Sequence, residues 1–487
     1  MDALLIVLLA LPLAAAALAV MGATPVSELA TLASGIGSFA VAIALAVSVR
    51  HGGSLAILGS WLQLDSLGGV FLLATGLLYA AGSVFSIGYL RGGSGRAGFA
   101  GYARRYYAFF NLFGWTMLLV PLMNDFGTLW VAVELTTIVS VLLVAVDRTD
   151  AALEAAWKYV LIASVGLGIA LLGVVVLYAA GTHALGDAYL PRFDRYLGAG
   201  GLPVVPVQFA FLLAVVGFGT KVGLAPMHTW LPDAHSEAPS PVSALLSGAL
   251  LANAFYAILR FYQVAARAGG DAFPRHVLLV FGTVSLVVAA LFVLRQENYK
   301  RLLAYSTIEH MGVIALGIGF GVRIAVAGAL FHVVNHAAAK GLAFFGSGSL
   351  LRRYDTKEID GVRGAAAALP FSGPMFFAAA LALSGLPVSG IFRSEFQIVS
   401  GGFSNPAYVW VTLLLVLVNV AFFGVIWHTG RMVLTPAGPS TVRGETSWWM
   451  VGGMAACFVV VVGLGFHVPS GFASLLGQAA GSLGGVQ

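Results

Sequence analysis

Charged residues are scarce in this chain of 487 residues. Only 9% of its residues are Asp, Glu, Lys or Arg, whereas 59% are hydrophobic. A soluble globular protein carries roughly 25% charged residues, so this chain has too few to cover a water-exposed surface. The 61 glycines follow no regular period, which excludes collagen, and the abundance of Leu, Val and Phe excludes a disordered chain. The composition is that of a polytopic membrane protein.

Cysteine is almost absent, because Cys457 is the single one. An internal disulfide is therefore excluded, and so is an iron–sulfur cluster held by about four thiolates. The sequence also lacks a phosphate-binding P-loop, a dinucleotide-binding glycine motif and an HExxH zinc motif. The net charge of +5 is not gathered into a basic patch, so nucleic acid binding is not expected. No cofactor is predicted.

Apolar runs separated by short polar or Gly/Pro segments follow one another along the whole chain. A spanning helix needs about 20 apolar residues. Because no basic residue precedes the first run, it is predicted to be a retained helix and not a cleaved signal peptide. The prediction is an all-α polytopic fold, one membrane domain over 1–487, with fourteen spans near 3–20, 28–49, 66–90, 106–123, 126–146, 153–180, 207–230, 240–264, 274–294, 301–320, 323–350, 371–400, 408–431 and 447–467.

The distribution of Lys and Arg between alternate loops predicts the orientation of the chain. Fourteen of these residues, Arg96 among them, fall in one set of loops and seven in the other. Cytoplasmic loops carry the excess of positive charge. With an even number of helices, both termini are then expected on the non-cytoplasmic side.

Lysine is rare, and three of the five lysines fall inside apolar runs. Lys300 and Lys357 are predicted in loops, whereas Lys158, Lys221 and Lys340 lie within predicted spans. A charge at the centre of a membrane helix costs at least ~2.5–3.5 kcal/mol on insertion scales. Such a residue indicates either an ion path or a structural ion pair.

Glu134 and Lys158 each allow a structural interpretation as well as a functional one. Glu134 lies in the middle of WVAVELTTIVSVLLV, where it either belongs to an ion path or locks helices together through an ion pair. Lys158 is nearer the start of its apolar run, so its ammonium group could also extend along the helix to the membrane interface.

Helix-breaking residues accompany the charges at two places. Glycines and a proline surround Lys221 in FLLAVVGFGTKVGLAPMHTWLP, and the run ALSGLPVSGIFRSEFQIV breaks just before Arg393 and Glu395. Glycine and proline inside a span free backbone carbonyls, and an interrupted helix beside a buried charge is typical of a membrane ion site. Two such places predict two broken helices, one in each half of an internally repeated fold.

His332, His336 and Lys340 recur every four residues in ALFHVVNHAAAKGLAFFG. This spacing places them on one helix face, over about 12 Å of a ~30 Å hydrocarbon core. Histidine exchanges protons near neutral pH, so such a row can pass protons through intervening water. Two histidines at this spacing also suit a metal, but no carboxylate accompanies them on that face, and no metal site is predicted. Plain packing is the other alternative.

Two further polar groups are weaker signals. Glu309 and His310 form a neighbouring pair about two turns into a predicted span. His228, Asp233, His235 and Glu237 lie close together in PMHTWLPDAHSEAPSPVSALLSG. The prolines of this segment and its place at a helix end favour a structured interfacial turn over a metal cluster.

Four ordered blocks of the sequence resemble the antiporter-like membrane subunits of respiratory complex I, Mrp antiporters and membrane-bound hydrogenases. The blocks are KVGLAPMHTWLPDAHSEAPSPVSALLSG, YKRLLAYSTIEHMG, LFHVVNHAAAKGLAFF and SGLPVSGIFRSEF, and the resemblance covers roughly residues 100–430. The sequences of these blocks are most similar to those of the F subunits of formate-hydrogenlyase-type hydrogenases. The resemblance implies fourteen helices, with N-terminal helices in 1–100, two inverted five-helix repeats in 106–264 and 274–431, each with a broken helix, and a C-terminal helix and tail in 432–487.

The resemblance also implies a path for protons along a mid-membrane chain of Lys, His, Glu and water. Glu134 stands where the family has its fifth-helix glutamate, Lys221 where it has the seventh-helix lysine, and Lys158 where it has a sixth-helix lysine. Lys340 matches the eleventh-helix lysine, His332 and His336 the histidines before it, and Glu395 the twelfth-helix glutamate at the exit. One departure is Ala252, since many relatives carry a lysine there; beside it stands Asn253, near which a water-filled junction is expected.

The function that follows is proton translocation in a redox-driven complex of the inner, cytoplasmic membrane. The chain itself is expected to hold no redox centre, so the partners implied are peripheral redox subunits and other membrane subunits, further antiporter-like ones included. Two alternatives stay open at this point: a Na⁺/H⁺ antiporter subunit of Mrp type, and the pump unit of an inorganic-carbon-accumulating complex.

Overall fold

In a computed structural model the chain forms a bundle of membrane helices. The structure describes residues 2–95, 98–186, 189–438 and 442–484, and Arg96 of the orientation count lies outside these ranges. The helices of the first half are α1 (Asp2–Met21), α2 (Thr24–Val49), α3 (Ser66–Arg91), α4 (Phe99–Leu119), α5 (Phe126–Val144), α6 (Asp150–Leu185), α7 (Phe193–Gly198), α8 (Val204–Val222), α9 (Leu231–Glu237), α10 (Ser240–Leu245) and α11 (Leu251–Gly269).

The second half continues in the same way. Its helices are α12 (Ala272–Val293), α13 (Tyr299–Gly319), α14 (Arg323–Tyr354), α15 (Ala365–Ala368), α16 (Ser372–Leu383), α17 (Gly390–Ser404), α18 (Tyr408–Val433), α19 (Trp448–Phe466) and α20 (Ser470–Ser482). A π-helical turn, Leu246–Leu250, joins α10 to α11 in one continuous segment. The all-α polytopic fold predicted from the sequence is confirmed.

Within the described ranges, eleven helices are long and apolar enough to cross a membrane. Three predicted spans are not among these eleven helices, and the reason is different for each. The span predicted at 106–123 begins earlier, as α4, and includes two arginines, while α14 carries histidines, an asparagine and a lysine. The span predicted at 371–400 is divided into α16 and α17.

Two of the described membrane helices are interrupted where glycine and proline predict it. The first interruption separates α8 from α9 and begins at Gly223, which has φ +80°. The second separates α16 from α17 and contains Gly385, with φ +68°. Both conformations lie in the left-handed region that glycine adopts without steric cost.

Two elements of the structure are not predicted by hydropathy. Strands β1 (Leu55–Ile57) and β2 (Leu62–Leu64) form a short antiparallel hairpin between α2 and α3. The last helix, α20, is too short to span a membrane and packs against α3 and α14. Gln263 Nε2 donates to the carbonyl of Ser482 at 3.0 Å and so ties the end of α20 to α11.

Buried polar contacts join the N-terminal helices to the rest of the bundle. Arg260 of α11 is 4% exposed and forms two hydrogen bonds of 2.8 and 2.7 Å with Asp65. Asp65 also caps α3, because its Oδ1 accepts from Gly68 N at 2.8 Å. Burial raises the pKa of Asp65, but the charge and hydrogen bonds of Arg260 outweigh burial and lower that pKa below 3.8.

Replacement of Asp65 by asparagine is expected to destabilise the bundle by roughly 3 kcal/mol, because Arg260 then stays buried without its counter-charge. The folded-state pKa is lowered, so the contribution is present above pH 3.8 and is lost as the pH falls through the folded-state value. Thermal denaturation of the purified complex in detergent measures the effect.

The matched control is Asp194→Asn, since Asp194 is half exposed and pairs with Arg192 at 3.3 Å. Exposed pairs contribute about 1 kcal/mol or less. Equal denaturation midpoints for the two variants would contradict a structural role for the Asp65–Arg260 pair.

Candidate functional site

Lys221 lies in the last turn of α8 and is fully buried. Its ammonium group donates to Thr137 Oγ1 on α5 and lies 5.7 Å from the centroid of the Tyr159 ring on α6. Small residues let these helices approach closely, since a Cβ at Gly217 would collide with the backbone of Ala170. The negative end of the α8 dipole also favours a cation at this position.

The first interruption leaves backbone groups of α8 to be satisfied by other partners. Trp230 Nε1 donates to the carbonyl of Thr220 at 2.7 Å, and the Trp230 ring stacks on Tyr159 with centroids 4.3 Å apart. Ser285 of α12 accepts a hydrogen bond from Ala225 N at 2.9 Å. These bonds hold the segment between α8 and α9 in place beside Lys221. They satisfy backbone groups that lipid could not solvate.

Glu134 lies one helical turn from Thr137 on α5, so it faces the same region as the Lys221 ammonium group. Its Oε1 accepts a 3.4 Å hydrogen bond from Ser164, while Oε2 is buried and has no hydrogen-bond partner among the described residues. Glu134 and Lys221 are near enough to interact electrostatically, yet Lys221 donates to Thr137. The lysine therefore has a hydroxyl acceptor in contact and a carboxyl group nearby.

Lys340 is the corresponding buried cation of the second half. It is fully buried in α14, and its ammonium group donates to Ser306 Oγ and, at 3.0 Å, to the carbonyl of Leu303, both on α13. Glu309 lies on the same helix and attracts Lys340 electrostatically. The arrangement repeats that of Lys221, with a hydroxyl acceptor and a carboxylate on the neighbouring helix.

Three histidines form a buried triangle next to Lys340. His332 and His336 are on α14 and His310 is on α13, with ring centroids 5.1 to 6.4 Å apart. His310 Nδ1 and His332 Nε2 are 3.0 Å apart. His336 Nδ1, His336 Nε2 and His310 Nε2 have no hydrogen-bond partner within the described part of the chain.

Glu395 closes this row of residues at the second interruption. One of its carboxylate oxygens is 4.0 Å from His310 Nδ1. The other lies against Gly385, where a Cβ would collide with it, so the glycine that breaks the helix also makes room for the carboxylate. Glu395 is 15% exposed and lines a cavity of about 380 Å³ between α17 and α18.

Contacts of His235 and Ser247 join the two halves. His235, fully buried on α9, is 6.2 Å from the Trp230 ring and 5.7 Å from Phe344 on α14. Ser247, in the π-helical turn, forms a 2.7 Å hydrogen bond with Thr307 of α13. Thr307 and Lys340 both donate to the carbonyl of Leu303. Ser247 and Thr307 therefore connect the π-helical turn of the first half to the carbonyl that Lys340 binds.

A family model described as NADH:quinone oxidoreductase/Mrp antiporter, TM matches residues 123–422. The chain belongs to this antiporter-like family. The match covers more than half of the chain and includes Glu134, Lys221, Lys340 and Glu395.

Relatives of this antiporter-like subunit come from several complexes. A hydrogenase-4 component F homolog of Methylacidiphilum infernorum is 36% identical over 373 residues, which are 74% of this chain and 76% of that protein. The fold is similar to a chain of respiratory complex I from Thermus thermophilus, at 25% identity and a TM-score of 0.76 over 95% of this chain and 96% of that one. A chain of the Mrp complex from Dietzia sp. shares the fold at 20% identity, with a TM-score of 0.87 over 99% and 98%.

Lys158, which the sequence predicts as a site residue, does not lie among the other site residues. Its side chain is 47% exposed and forms ion pairs with Glu154 at 2.6 Å and with Asp233 at 3.2 Å. Asp233 also pairs with Arg301 at 2.7 Å. Lys158 thus belongs to a network of ion pairs at a helix end and not to the buried surroundings of Lys221.

Two local predictions from the sequence need correction. Lys300 is not in a loop; it is buried in the first turn of α13 and donates to the carbonyls of Ser236 and Ala238 at 3.0 and 2.5 Å. The predicted interfacial turn is a short helix, α9, in which His235 is buried. A cation at the C-terminal end of α9 is favoured by the helix dipole, and the two hydrogen bonds from Lys300 fix the backbone just after His235.

Asn253, beside Ala252, binds α3 and α4 through its amide nitrogen, and its Oδ1 is buried without a hydrogen-bond partner among the described residues. Its Nδ2 donates to Thr75 of α3 at 3.2 Å and to the carbonyl of Met117 of α4 at 3.0 Å. Ser247, two helical turns earlier, makes the contact with α13 instead. The sequence shows both residues in one apolar segment, but it does not show which side of the helix faces α13.

Two site residues, Thr137 and Ser306, are not predicted from the sequence, and Glu309, His310 and His235 appear there only as weaker signals. Glu309 and His310 are visible in the sequence as a charged pair in an apolar run, but their partner helix is not. Thr137 and Ser306 resemble ordinary hydroxyls that bond to their own helix. Only the packing of α5 and α13 against the lysine helices identifies them.

Ordered water is expected beside His336 in an experimental map of the parent complex. Its two unpartnered nitrogens would otherwise be buried without hydrogen bonds, which costs about 1–3 kcal/mol per group. Maps at a resolution that shows water elsewhere in the membrane domain test this. Hydrocarbon side chains alone against both His336 nitrogens would contradict a hydrated row of residues.

Proposed function

We propose that this chain moves protons through the membrane as the antiporter-like subunit of a redox-driven complex of hydrogenase or complex I type. The observation that carries the proposal is the series of buried or partly buried ionisable groups from Glu134 through Lys221, Lys340 and the histidine triangle to Glu395. Intramembrane charges are costly and mark ion paths by default. Here they line up across both halves of one bundle.

The first half acts as a switch between two acceptors for Lys221. With its ammonium group on Thr137, the lysine leaves Glu134 Oε2 unpaired. Approach of the lysine to Glu134 forms an ion pair that stabilises the protonated amine, and separation from Glu134 favours release of the proton. A change in a neighbouring subunit that alters this spacing therefore drives proton uptake and release.

The second half carries the proton from Lys340 toward the exit. Lys340, Glu309 and the histidine triangle lie on α13 and α14, and His310 leads to Glu395 at 4.0 Å. Transfer between such groups needs direct hydrogen bonds or one bridging water. Glu395 then releases the proton through the cavity between α17 and α18. We leave Lys158 out of this path and assign it to the ion pairs of α6 and α9.

We also propose the arrangement of the repeats and of the termini. Residues 106–264 form the first repeat and 274–431 the second, since each contains one interrupted helix and one buried lysine beside a hydroxyl acceptor. The excess of Lys and Arg in one set of loops supports termini on the non-cytoplasmic side.

Redox chemistry belongs to peripheral partner subunits, and energy reaches this chain through its membrane neighbours.

The donor atoms around the exit favour protons over Na⁺. Imidazole nitrogens surround the path between Lys340 and Glu395, whereas hard cations prefer carboxylate, carbonyl and water oxygens. Replacement of Na⁺ by choline in proteoliposomes is therefore expected to leave the rate of proton translocation unchanged. A rate that falls in proportion to the remaining Na⁺ would support the Mrp-type alternative.

Replacement of Lys221 by alanine is expected to remove the protons that this subunit contributes, while the complex still assembles. Among the described residues the Lys221 ammonium group forms one hydrogen bond, to Thr137, so its loss leaves the helix contacts in place. Proton uptake by proteoliposomes, measured with a pH-sensitive dye alongside electron transfer, tests the change.

The control is Lys357→Ala. Lys357 pairs with Glu237 at 2.8 Å and lies outside the proposed path. This variant is expected to pump as the unaltered complex does. Full proton translocation by Lys221→Ala would overturn the role given to this lysine.

A further inference from the structure

Ligand atoms from three helices converge where the path reaches its exit. His310 of α13, His332 of α14 and Glu395 of α17 each offer one donor atom, and these atoms lie within 4.8 Å of one another. We propose that they form a binding site for a divalent transition-metal ion of the Zn²⁺ class. On the helix face of His332 the sequence offers no carboxylate, and the second interruption supplies one from another helix.

The separations between the donor atoms suit one small ion. His310 Nδ1 is 3.0 Å from His332 Nε2 and 4.0 Å from a carboxylate oxygen of Glu395. Zn²⁺ binds imidazole nitrogen at about 2.0–2.1 Å and carboxylate oxygen at about 2.0–2.2 Å. Ligand atoms around such an ion are then about 3 to 4 Å apart, and the distances from His310 Nδ1 to the other two donors fall in this range.

Ser394 holds His332 in the orientation that metal binding requires. The Ser394 hydroxyl donates to the carbonyl of Ile391 at 2.7 Å, so its oxygen accepts the hydrogen bond from His332 Nδ1 at 2.9 Å. The proton of His332 is thereby on Nδ1, and the lone pair of Nε2 points toward His310. A second hydrogen bond of this kind accompanies most metal-binding histidines.

Unpartnered nitrogens provide an independent reason to expect a ligand. His336 is fully buried, has no hydrogen-bond partner on either ring nitrogen in the described part of the chain, and its ring centroid is 5.3 Å from that of His310. It can rotate to become a fourth ligand. His310 Nε2 is also unpartnered, so it can take the proton that leaves Nδ1 when a metal binds there.

The cavity between α17 and α18 gives the site an entry. Glu395 lines this cavity, whose volume is about 380 Å³, and is 15% exposed, whereas His310 and His332 are fully buried. An ion can therefore meet the carboxylate first and move inward to the imidazoles. Two nitrogen ligands favour Zn²⁺, Ni²⁺ or Cu²⁺ over Mg²⁺ and Ca²⁺.

A metal in this site would replace the hydrogen bond between His310 and His332. That consequence rests on the proposed function, because the same two nitrogens lie on the proton path. Occupation of the site by Zn²⁺ would then stop the transfer from the histidine triangle to Glu395. Metal binding itself does not depend on any transport role and is tested separately.

Binding is tested on the purified intact complex by equilibrium dialysis against Zn²⁺, with elemental analysis. The unaltered complex is expected to bind one Zn²⁺ per subunit that is lost in both His310→Gln and Glu395→Gln. His428→Gln removes another buried histidine, which bonds to the carbonyl of Leu294 at 3.2 Å, and is expected to keep the ion. Equal Zn²⁺ content in all four complexes would overturn the site.

A milder variant covers the case in which His310→Gln or Glu395→Gln prevents assembly. Ser394→Ala leaves all three ligands in place and removes only the group that orients His332. It is expected to raise the dissociation constant for Zn²⁺ about 10-fold or more. Co²⁺ should give visible d–d absorption that Zn²⁺ displaces, and no such absorption at saturating Co²⁺ would refute the site.

Proton translocation with and without Zn²⁺ separates this proposal from the proposed function. Inhibition in the unaltered complex, with about 10-fold more Zn²⁺ needed in Ser394→Ala, supports both. If Zn²⁺ binds as described and pumping continues unchanged, the metal site stands and the proposed proton path is wrong.

Discussion

The interruption of two membrane helices is the constraint on which the rest of the site depends. In hydrocarbon every backbone N–H and C=O must find a partner within the protein. The first interruption meets this demand with Trp230 and Ser285, and the second with the Ser389 side chain, which caps α17. The polar surroundings that these bonds create allow Lys221 and Glu395 to remain buried in an otherwise apolar bundle.

The two halves place their buried lysines in similar surroundings. Each places a lysine against a hydroxyl group of a neighbouring helix, Thr137 for Lys221 and Ser306 for Lys340, with a carboxylate one turn away from that hydroxyl. In each half the lysine thus has a hydroxyl partner in contact and a carboxyl group nearby. Such a pairing allows small helix movements to change where a proton is most stable, and it suits a subunit that receives energy from its neighbours.

Helix positions and the two interruptions could be predicted from the sequence, because hydropathy, glycine and proline act locally. Lys221, Lys340 and Glu395 could be singled out for the same reason. The convergence of His310 with His332 and Glu395 could not, since these residues lie on three helices and only their packing brings them together. Asn253 illustrates the same limit: its polarity is visible in the sequence, but its contacts with α3 and α4 are not.

We propose that one proton path runs through both halves and leaves at Glu395. The number of protons translocated per electron, measured in proteoliposomes containing the Glu395→Gln complex and compared with that of Lys221→Ala, tests this path. A single path predicts the same loss in both variants, with electron transfer still measurable. A full proton count in Glu395→Gln, beside a reduced one in Lys221→Ala, would contradict the path through the second half.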